Sequence, residues 1–351
     1  MGKLLSIIIP TYNMEKYLDR CISSLVVDAE HLQQLEVLVV NDGSKDRSSE
    51  IAHRYQEKFP ETVIVIDKPN GHYGSCINRG LKEASGLFVK VLDADDSFDN
   101  AVFPRFLDFL ARAEVREKAD LILSDYTDVN DDQIPYRTLR YAHYAGAFTL
   151  DDIHYNDKLE WFIHGITYRT KLLKDNHYEQ LEGVVYTDLE WAYTPMAYVQ
   201  TLYKFDEPLY LYTHGREGQS VDDIVHAKNL NVEIQVTERL INTYEQLSGL
   251  VGPSQEAFLK ERLYLLTTHI YQLYLIAFKQ YKPQLTQLSA FDTYLLAHNP
   301  ELHSKVCDYT TRIAGLSFQP IKDWRKGNTL RLSLQQALYN LANWANNHFR
   351  K

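Results

Sequence analysis

Cysteine is scarce in this chain. Only Cys21, Cys76 and Cys307 occur in 351 residues, far apart and with no CxxC pair. That spacing excludes a disulfide framework and a thiolate zinc site. Basic charge is not in excess either, since 37 Lys and Arg face 47 Asp and Glu for a net charge of -10. Nucleic-acid binding normally draws on a basic surplus, so that class of partner is not expected. No run of about 18 uncharged apolar residues is present. The apolar start at 4–9 is short and ends at Pro10, which suits neither a signal peptide nor a membrane span. An intracellular, cytoplasmic protein is the expectation. Gly2 fits a loose myristoylation pattern, but residues 4–9 read as a buried strand, so the match is taken as chance. Internal repeats, heptads and low-complexity tracts are also lacking.

What is present fits an ordinary globular protein, with 45% hydrophobic and 24% charged residues. The length suggests two units. Apolar, β-branched runs predict strands over 4–9, 35–40, 62–67 and 87–92, and a later one over 120–126. Helical spacing predicts helices over 15–27, 46–58, 74–85 and 101–113. Such alternation predicts a largely parallel sheet with helices on both faces. Residues 160–174 read as a strand leading into a helix, 183–199 as a second helical segment, and 202–213 as a closing strand pair or hairpin. From about 225 helical spacing takes over, at 226–248, 254–281, 285–297 and 329–349. The expected domains are 1–222, divided into 1–125 and 126–222, and an all-helical 223–351.

In a doubly wound sheet ligands bind beyond the carboxyl ends of the strands. Three polar clusters fall there: Thr11-Tyr12-Asn13, Asn41-Asp42-Gly43-Ser44 and Asp93-Ala94-Asp95-Asp96. Three carboxylates on one turn repel, and a hard divalent cation such as Mg2+ or Mn2+ relieves that repulsion. The bland alternative is a solvated acidic turn capping the next helix. Asp42 could accept from a base N–H, or simply cap a helix. Tyr12 is available for stacking on a base.

Taken together, Ile-Ile-Ile-Pro-Thr-Tyr-Asn (7–13), Val-Val-Asn-Asp-Gly-Ser-Lys-Asp (39–46), Asn78-Arg79-Gly80 with Ala84-Ser85-Gly86, and Leu-Asp-Ala-Asp-Asp (92–96) follow the order and spacing of one family. The chain resembles the GT-A-fold family 2 glycosyltransferases, bacterial and inverting. The resemblance covers about 4–130, and more faintly reaches 220. It implies a Rossmann-like GT-A domain followed by an all-helical C-terminal region. By this resemblance Thr11, Tyr12, Asn13, Glu15, Asp42 and Asn78 would line the donor pocket, usually for a UDP-sugar. Ile77 stands where relatives carry an arginine. Asp93, Ala94 and Asp95 match the DXD element, with Asp93 facing the donor and Asp95 holding Mn2+ or Mg2+. Asp96 is a substitute ligand or a supporting neighbour.

Gly183-Val-Val-Tyr-Thr-Asp-Leu-Glu-Trp (183–191) resembles the family's Glu-Asp motif, with Thr187 in the glutamate's place. Asp188 would then be the general base, with Glu190 its local competitor and a helix-capping acid the bland alternative. Tyr212 to Ser220 resembles the segment that closes over the donor. There Arg216 would contact the diphosphate and His214 the metal or phosphate, unless His214 is an ordinary loop histidine.

In the last helix Leu330, Leu334, Leu338, Leu341 and Trp344 form an apolar stripe with basic neighbours. Such a helix can lie on an anionic membrane at the inner face of the cell membrane, which would make the enzyme peripheral. Packing on other helices or on a second copy of the chain is the favoured alternative. Tyrosines between 126 and 212 are candidates for an acceptor groove.

The expected function is metal-dependent sugar transfer from a nucleotide-sugar to a hydroxyl of a glycan, glycoprotein or lipid-linked saccharide. A nucleotide-sugar-binding module without catalysis is the rival. A sugar-phosphate nucleotidylyltransferase is weaker, because the first loop lacks glycines and a basic residue.

Overall fold

A computed structural model of the chain describes residues 2–153, 161–215, 219, 222–278 and 281–349, with the side chains of the last helix described to residue 342. It divides into two compact units, 1–216 and 217–351.

The first unit starts with β1 (Leu5–Thr11), α1 (Leu18–Ser23), α2 (Ala29–Gln34), β2 (Leu35–Asn41), α3 (Ser48–Lys58), β3 (Val63–Asp67), α4 (His72–Glu83) and β4 (Phe88–Val91). β5 (Ser97–Phe98), α5 (Phe103–Ala111), α6 (Ala113–Lys118), β6 (Leu121–Asn130), β7 (Pro135–Leu139) and β8 (Ala147–Phe148) follow. The unit ends with β9 (Ile166–Arg169), α7 (Thr170–Asp175), α8 (Asp188–Trp191) and β10 (Leu202–His214). Among the described residues ten strands share one sheet, whose main path runs β3-β2-β1-β4-β9-β6-β10-β5. The first four strands are parallel, β9 runs antiparallel to β4 and β6, and β10 runs parallel to β6. β1, β2 and β4 are buried along their whole length, as their unbroken apolar runs require. This is the Rossmann-like GT-A architecture expected from the motifs.

Several boundaries differ from the sequence reading, each for a local reason. β1 runs through Pro10 to Thr11. Its ladder with β4 ends at Ile8, so the missing proline N–H leaves no gap on that side. The helix expected over 15–27 is only α1, and α2 starts separately where Asp28 caps the N–H groups of Glu30 and His31. The expected hairpin at 202–213 is one strand. β10 follows β6 throughout, with register shifts between Phe205 and Tyr210 that accommodate Pro208.

The second unit is mainly helical. It comprises α9 (Asp223–Lys228), α10 (Leu230–Leu247), α11 (Pro253–Gln272), α12 (Leu285–His298), α13 (Pro300–Val306), α14 (Pro320–Arg325) and α15 (Thr329–Phe349). A small hairpin of β11 (Thr311–Ile313) and β12 (Leu316–Phe318) interrupts it. Leu240, Ile241, Phe258, Leu259, Leu288, Phe291 and Leu295 are its buried centre. The apolar stripe of α15 is not the face that packs within this unit. Leu330, Leu334 and Leu341 are exposed, while Leu332 and Gln335 are buried. The buried carboxylate of Asp323 explains the rotation, because it takes Gln335 Nε2 at 2.8 Å and Arg331 Nε at 3.2 Å. Among the described residues no helix is long and apolar enough to cross a membrane.

Candidate active site

The loops after β1 and β2 are tied together. Asn13, at φ 55°, donates its N–H to Ser44 Oγ at 3.0 Å and accepts from Lys45 N with Oδ1 at 2.8 Å. Met14 N donates to Ser48 Oγ, and Glu15 N to Asp46 Oδ2, at 2.7 and 3.0 Å. Glu15 Oε2 in turn accepts from Arg47 N at 3.0 Å. Thr11 is buried, its hydroxyl donating to the carbonyl of Ile9 at 3.1 Å. Tyr12 is 45% exposed and free of the core, as a stacking face must be. Asp42 is buried, with Oδ1 ion-paired to Lys68 and accepting from Gly71 N at 2.9 Å. Thr11, Tyr12, Asn13, Glu15 and Asp42 therefore border one lip of the sheet edge. Lys68, which directly follows β3, neutralises that lip and escaped the sequence reading.

Asn78 is turned elsewhere. Its Oδ1 accepts from Gln180 N at 2.8 Å, and its Nδ2 donates to Gln180 O and Glu182 Oε1, both at 2.9 Å. The amide braces α4 against the segment before α8, with both of its N–H groups engaged there.

The acidic turn follows β4. Asp93 accepts from the Tyr73 hydroxyl at 2.7 Å, while its N–H donates to the Tyr210 hydroxyl oxygen at 3.1 Å. Asp96 is buried under the turn. Its Oδ2 takes the Tyr210 hydroxyl at 2.6 Å and its Oδ1 takes Thr213 N at 2.7 Å. Burial, then Asp95 and Asp93, hold the Asp96 carboxyl well above the usual carboxylate range. Ala94 is buried, and the carbonyl of Asp95 accepts from Arg20 Nη2 at 2.7 Å.

The cluster of side chains that could hold a cation is not the set named from the motifs. Among the described residues, Asp93, Asp96 and His164 each offer a ligand atom within 4.8 Å of the others'. Asp95 and His214 stand outside that group. On β10, Tyr210, Tyr212 and His214 share one face, and the Tyr212 ring lies between the two imidazoles, 4.1 Å from each. His214 Nε2 meets Asp128 Oδ1 at 3.2 Å instead. Arg216 lies outside the described residues. His164 gave no sequence signal, because it sits in a short turn just before β9 that carries no motif.

The donor set fits a divalent cation. Two carboxylates and an imidazole are ordinary ligands, and one His164 nitrogen, Nδ1, is buried without a hydrogen-bond partner among the described residues. Burial, then Lys90 and His214, push the His164 imidazole down to about 3, so it is neutral at ordinary pH. A neutral ring is the form that binds metal.

Asp188 opens α8 and is half-buried. Its carboxylate lies within electrostatic reach of the Tyr73 and Tyr212 hydroxyls. Burial, Asp93 and Asp188 together hold Tyr73 well above the usual phenol range. Tyr212 is also raised, by burial first, then by Asp96, Asp93 and Asp188. Both phenols therefore stay protonated and can donate. Glu190 is buried, with Oε2 accepting from Leu181 N at 2.6 Å. The acidic turn and Asp188 thus approach the same two tyrosines, whereas Glu190 anchors a loop. Of the tyrosines expected in a groove, Tyr126, Tyr141, Tyr144, Tyr168, Tyr178 and Tyr193 are buried core; Tyr136 is 60% exposed.

The family model described as "Glycosyl transferase family 2" matches residues 6–166. The glycosyltransferase EpsJ of Bacillus subtilis is 40% identical over 105 residues, covering 30% of this chain and 30% of EpsJ. The match thus spans under a third of that curated relative's length. The glycosyltransferase MG060 of Mycoplasma genitalium is 25% identical over 254 residues, covering 70% of this chain and 82% of its own. Among solved structures, Staphylococcus aureus TarS 1-349 aligns at TM-score 0.63 with 21% identity, over 85% of this chain and 82% of that one. Its fold is the one seen here. Residues 6–166 are thus similar to glycosyl transferase family 2.

Proposed function

We propose that the chain is an inverting glycosyltransferase that moves a sugar from a UDP-sugar to a hydroxyl of a glycan, glycoprotein or lipid-linked acceptor. The carrying observation is the approach of Asp188 and the acidic turn to one pair of tyrosines at the carboxyl edge of the sheet. The UDP reading draws support from the names of relatives. TarS is described as a poly(ribitol-phosphate) β-N-acetylglucosaminyltransferase, and structures of it with UDP-GlcNAc and with UDP resemble this fold.

In this reading the nucleoside lies against the lip of Thr11, Tyr12, Asn13, Glu15 and Asp42, with Tyr12 stacked on the base. The acidic turn would hold a divalent cation, which supplies charge neutralisation to a diphosphate. Asp188 takes the proton from the acceptor hydroxyl. The oxygen forms a bond to the anomeric carbon as the bond to the diphosphate breaks, and the electron pair leaves with the diphosphate. Attack from the opposite face inverts the configuration. Tyr73, whose hydroxyl bonds Asp93, holds that carboxylate in place.

A thermal-shift panel of UDP-, GDP- and dTDP-sugars with Mn2+ tests the donor. At a hundredfold excess over Kd, the bound donor stabilises by about 2.7 kcal/mol. For a chain of this size that is a rise in Tm of a few degrees, on the order of 5 °C. The UDP compounds should give the largest, metal-dependent shift. Equal shifts for all three, indifferent to metal, would overturn the assignment.

A further inference from the structure

The acidic turn is backed by a histidine that no donor-binding motif includes. His164 lies in the turn Ile163–Gly165 just before β9 and is 8% exposed. Its backbone is pinned, since its carbonyl accepts from Lys90 Nζ at 2.7 Å. The next residue, Gly165, packs so closely that a Cβ there would lie 2.9 Å from the carbonyl oxygen of Ser124. Its ring is fixed too, stacked on Tyr212 at 4.1 Å and tilted against Tyr210 at 4.8 Å. A polar ring held from three sides, with a buried Nδ1 lacking a partner among the described residues, needs something to bind. A ligand atom of that ring and the carboxylates of Asp93 and Asp96 lie within 4.8 Å of one another.

We infer that His164 is a direct ligand of the divalent cation, completing with Asp93 and Asp96 a seat of two carboxylates and one imidazole. The inference rests on the proposed function for the role of the cation but not for its seat. Two carboxylates offset the charge of the ion, and each oxygen of Asp96 keeps a lone pair beyond its bond to Tyr210 or Thr213. The imidazole decides selectivity. Mg2+ favours oxygen ligands and keeps its water, whereas Mn2+ and Co2+ accept a nitrogen readily. The seat is built from residues already held by the fold, so it loads without nucleotide.

The test uses the full chain and metal alone. Mn2+ is titrated by EPR, and the bound ion is then probed for 14N coupling by electron spin-echo modulation. Wild-type protein should show a coupled imidazole nitrogen in the absence of any nucleotide. H164N should lose that coupling and bind Mn2+ at least ~10-fold more weakly, with Mg2+ affinity changed far less. H214N should keep the coupling. No nitrogen coupling in wild type, or coupling that vanishes with H214N and survives H164N, would overturn the assignment. The wild-type spectrum decides even if H164N folds poorly. Metal-dependent UDP-sugar binding without nitrogen coupling would sink only the ligand, while loss of all UDP-sugar binding would sink the donor reading.

Discussion

Lys90 gives a test of the interior that does not depend on any substrate. Its side chain sits in β4, fully enclosed, with Nζ donating to the carbonyls of His164 and Ile166 at 2.7 and 3.3 Å. Burial alone pushes its ammonium down from 10.5 to about 7. In the unfolded chain the amine titrates near ~10.4. Between these two values the unfolded chain carries a proton that the folded chain has released. Native stability therefore rises with pH across that window, by up to about 1.4 kcal/mol per unit. Below the folded value both states are protonated and the penalty stays at its maximum. Above the unfolded value neither is protonated and the penalty is gone. From pH 7 to pH 9 the gain is roughly 2 kcal/mol, allowing for half-titration of the folded chain at the start. The perturbation is K90M, which keeps the length of the side chain and removes its charge. Urea titrations of both proteins at pH 6, 7, 8 and 9 yield a difference in stability from which the other titrating groups cancel. The wild type should gain on K90M as pH rises from 7 to 9. A flat difference, or one that falls with pH, would refute the account of an ammonium desolvated without a compensating carboxylate.

Two further expectations concern the catalytic side. D188N should keep UDP-sugar affinity within about twofold while transfer falls by ~100-fold or more, the usual range for a positioned base; near-normal transfer in a glycan-transfer assay would remove Asp188 from that role. G74A acts at a distance. A Cβ on Gly74 would be driven into the carbonyl oxygen of Leu181 and would lie 3.0 Å from its carbon. Overpacking of that kind costs roughly 1–3 kcal/mol. It also moves the segment that Asn78 and Glu190 anchor ahead of Asp188. The Tm should fall and kcat should drop more than donor affinity, and a variant with wild-type Tm and kcat would contradict the close packing.

The parallel half of the sheet was legible because burial on both faces leaves one pattern, the unbroken apolar run of β1, β2 and β4. The acidic turn was legible because repulsion among close carboxylates demands a reason. What sequence could not supply were partners distant along the chain. Asp96 looked interchangeable with Asp95 until Tyr210 and Thr213, more than a hundred residues later, closed over it. His164 belongs to no motif, and its meaning comes from β9 lying between β4 and β6. Asn78 shows a structural role that the motif did not reveal. Its motif position suggested a donor contact, and the amide also ties α4 to Gln180 and Glu182. The last helix misled because its leucines follow a helical stripe, while a buried aspartate on α14 sets which side turns inward.

The bonds between the loops after β1 and β2 carry one more consequence. Asn13, Met14 and Glu15 are laced to Ser44, Asp46, Arg47 and Ser48 by hydrogen bonds within the chain itself. Holding a flexible residue in one backbone conformation costs on the order of 1–2 kcal/mol, and here folding has already met that demand. If the nucleoside binds as proposed, it would meet a rigid rim, and recognition at this end would depend on fit and not on closure.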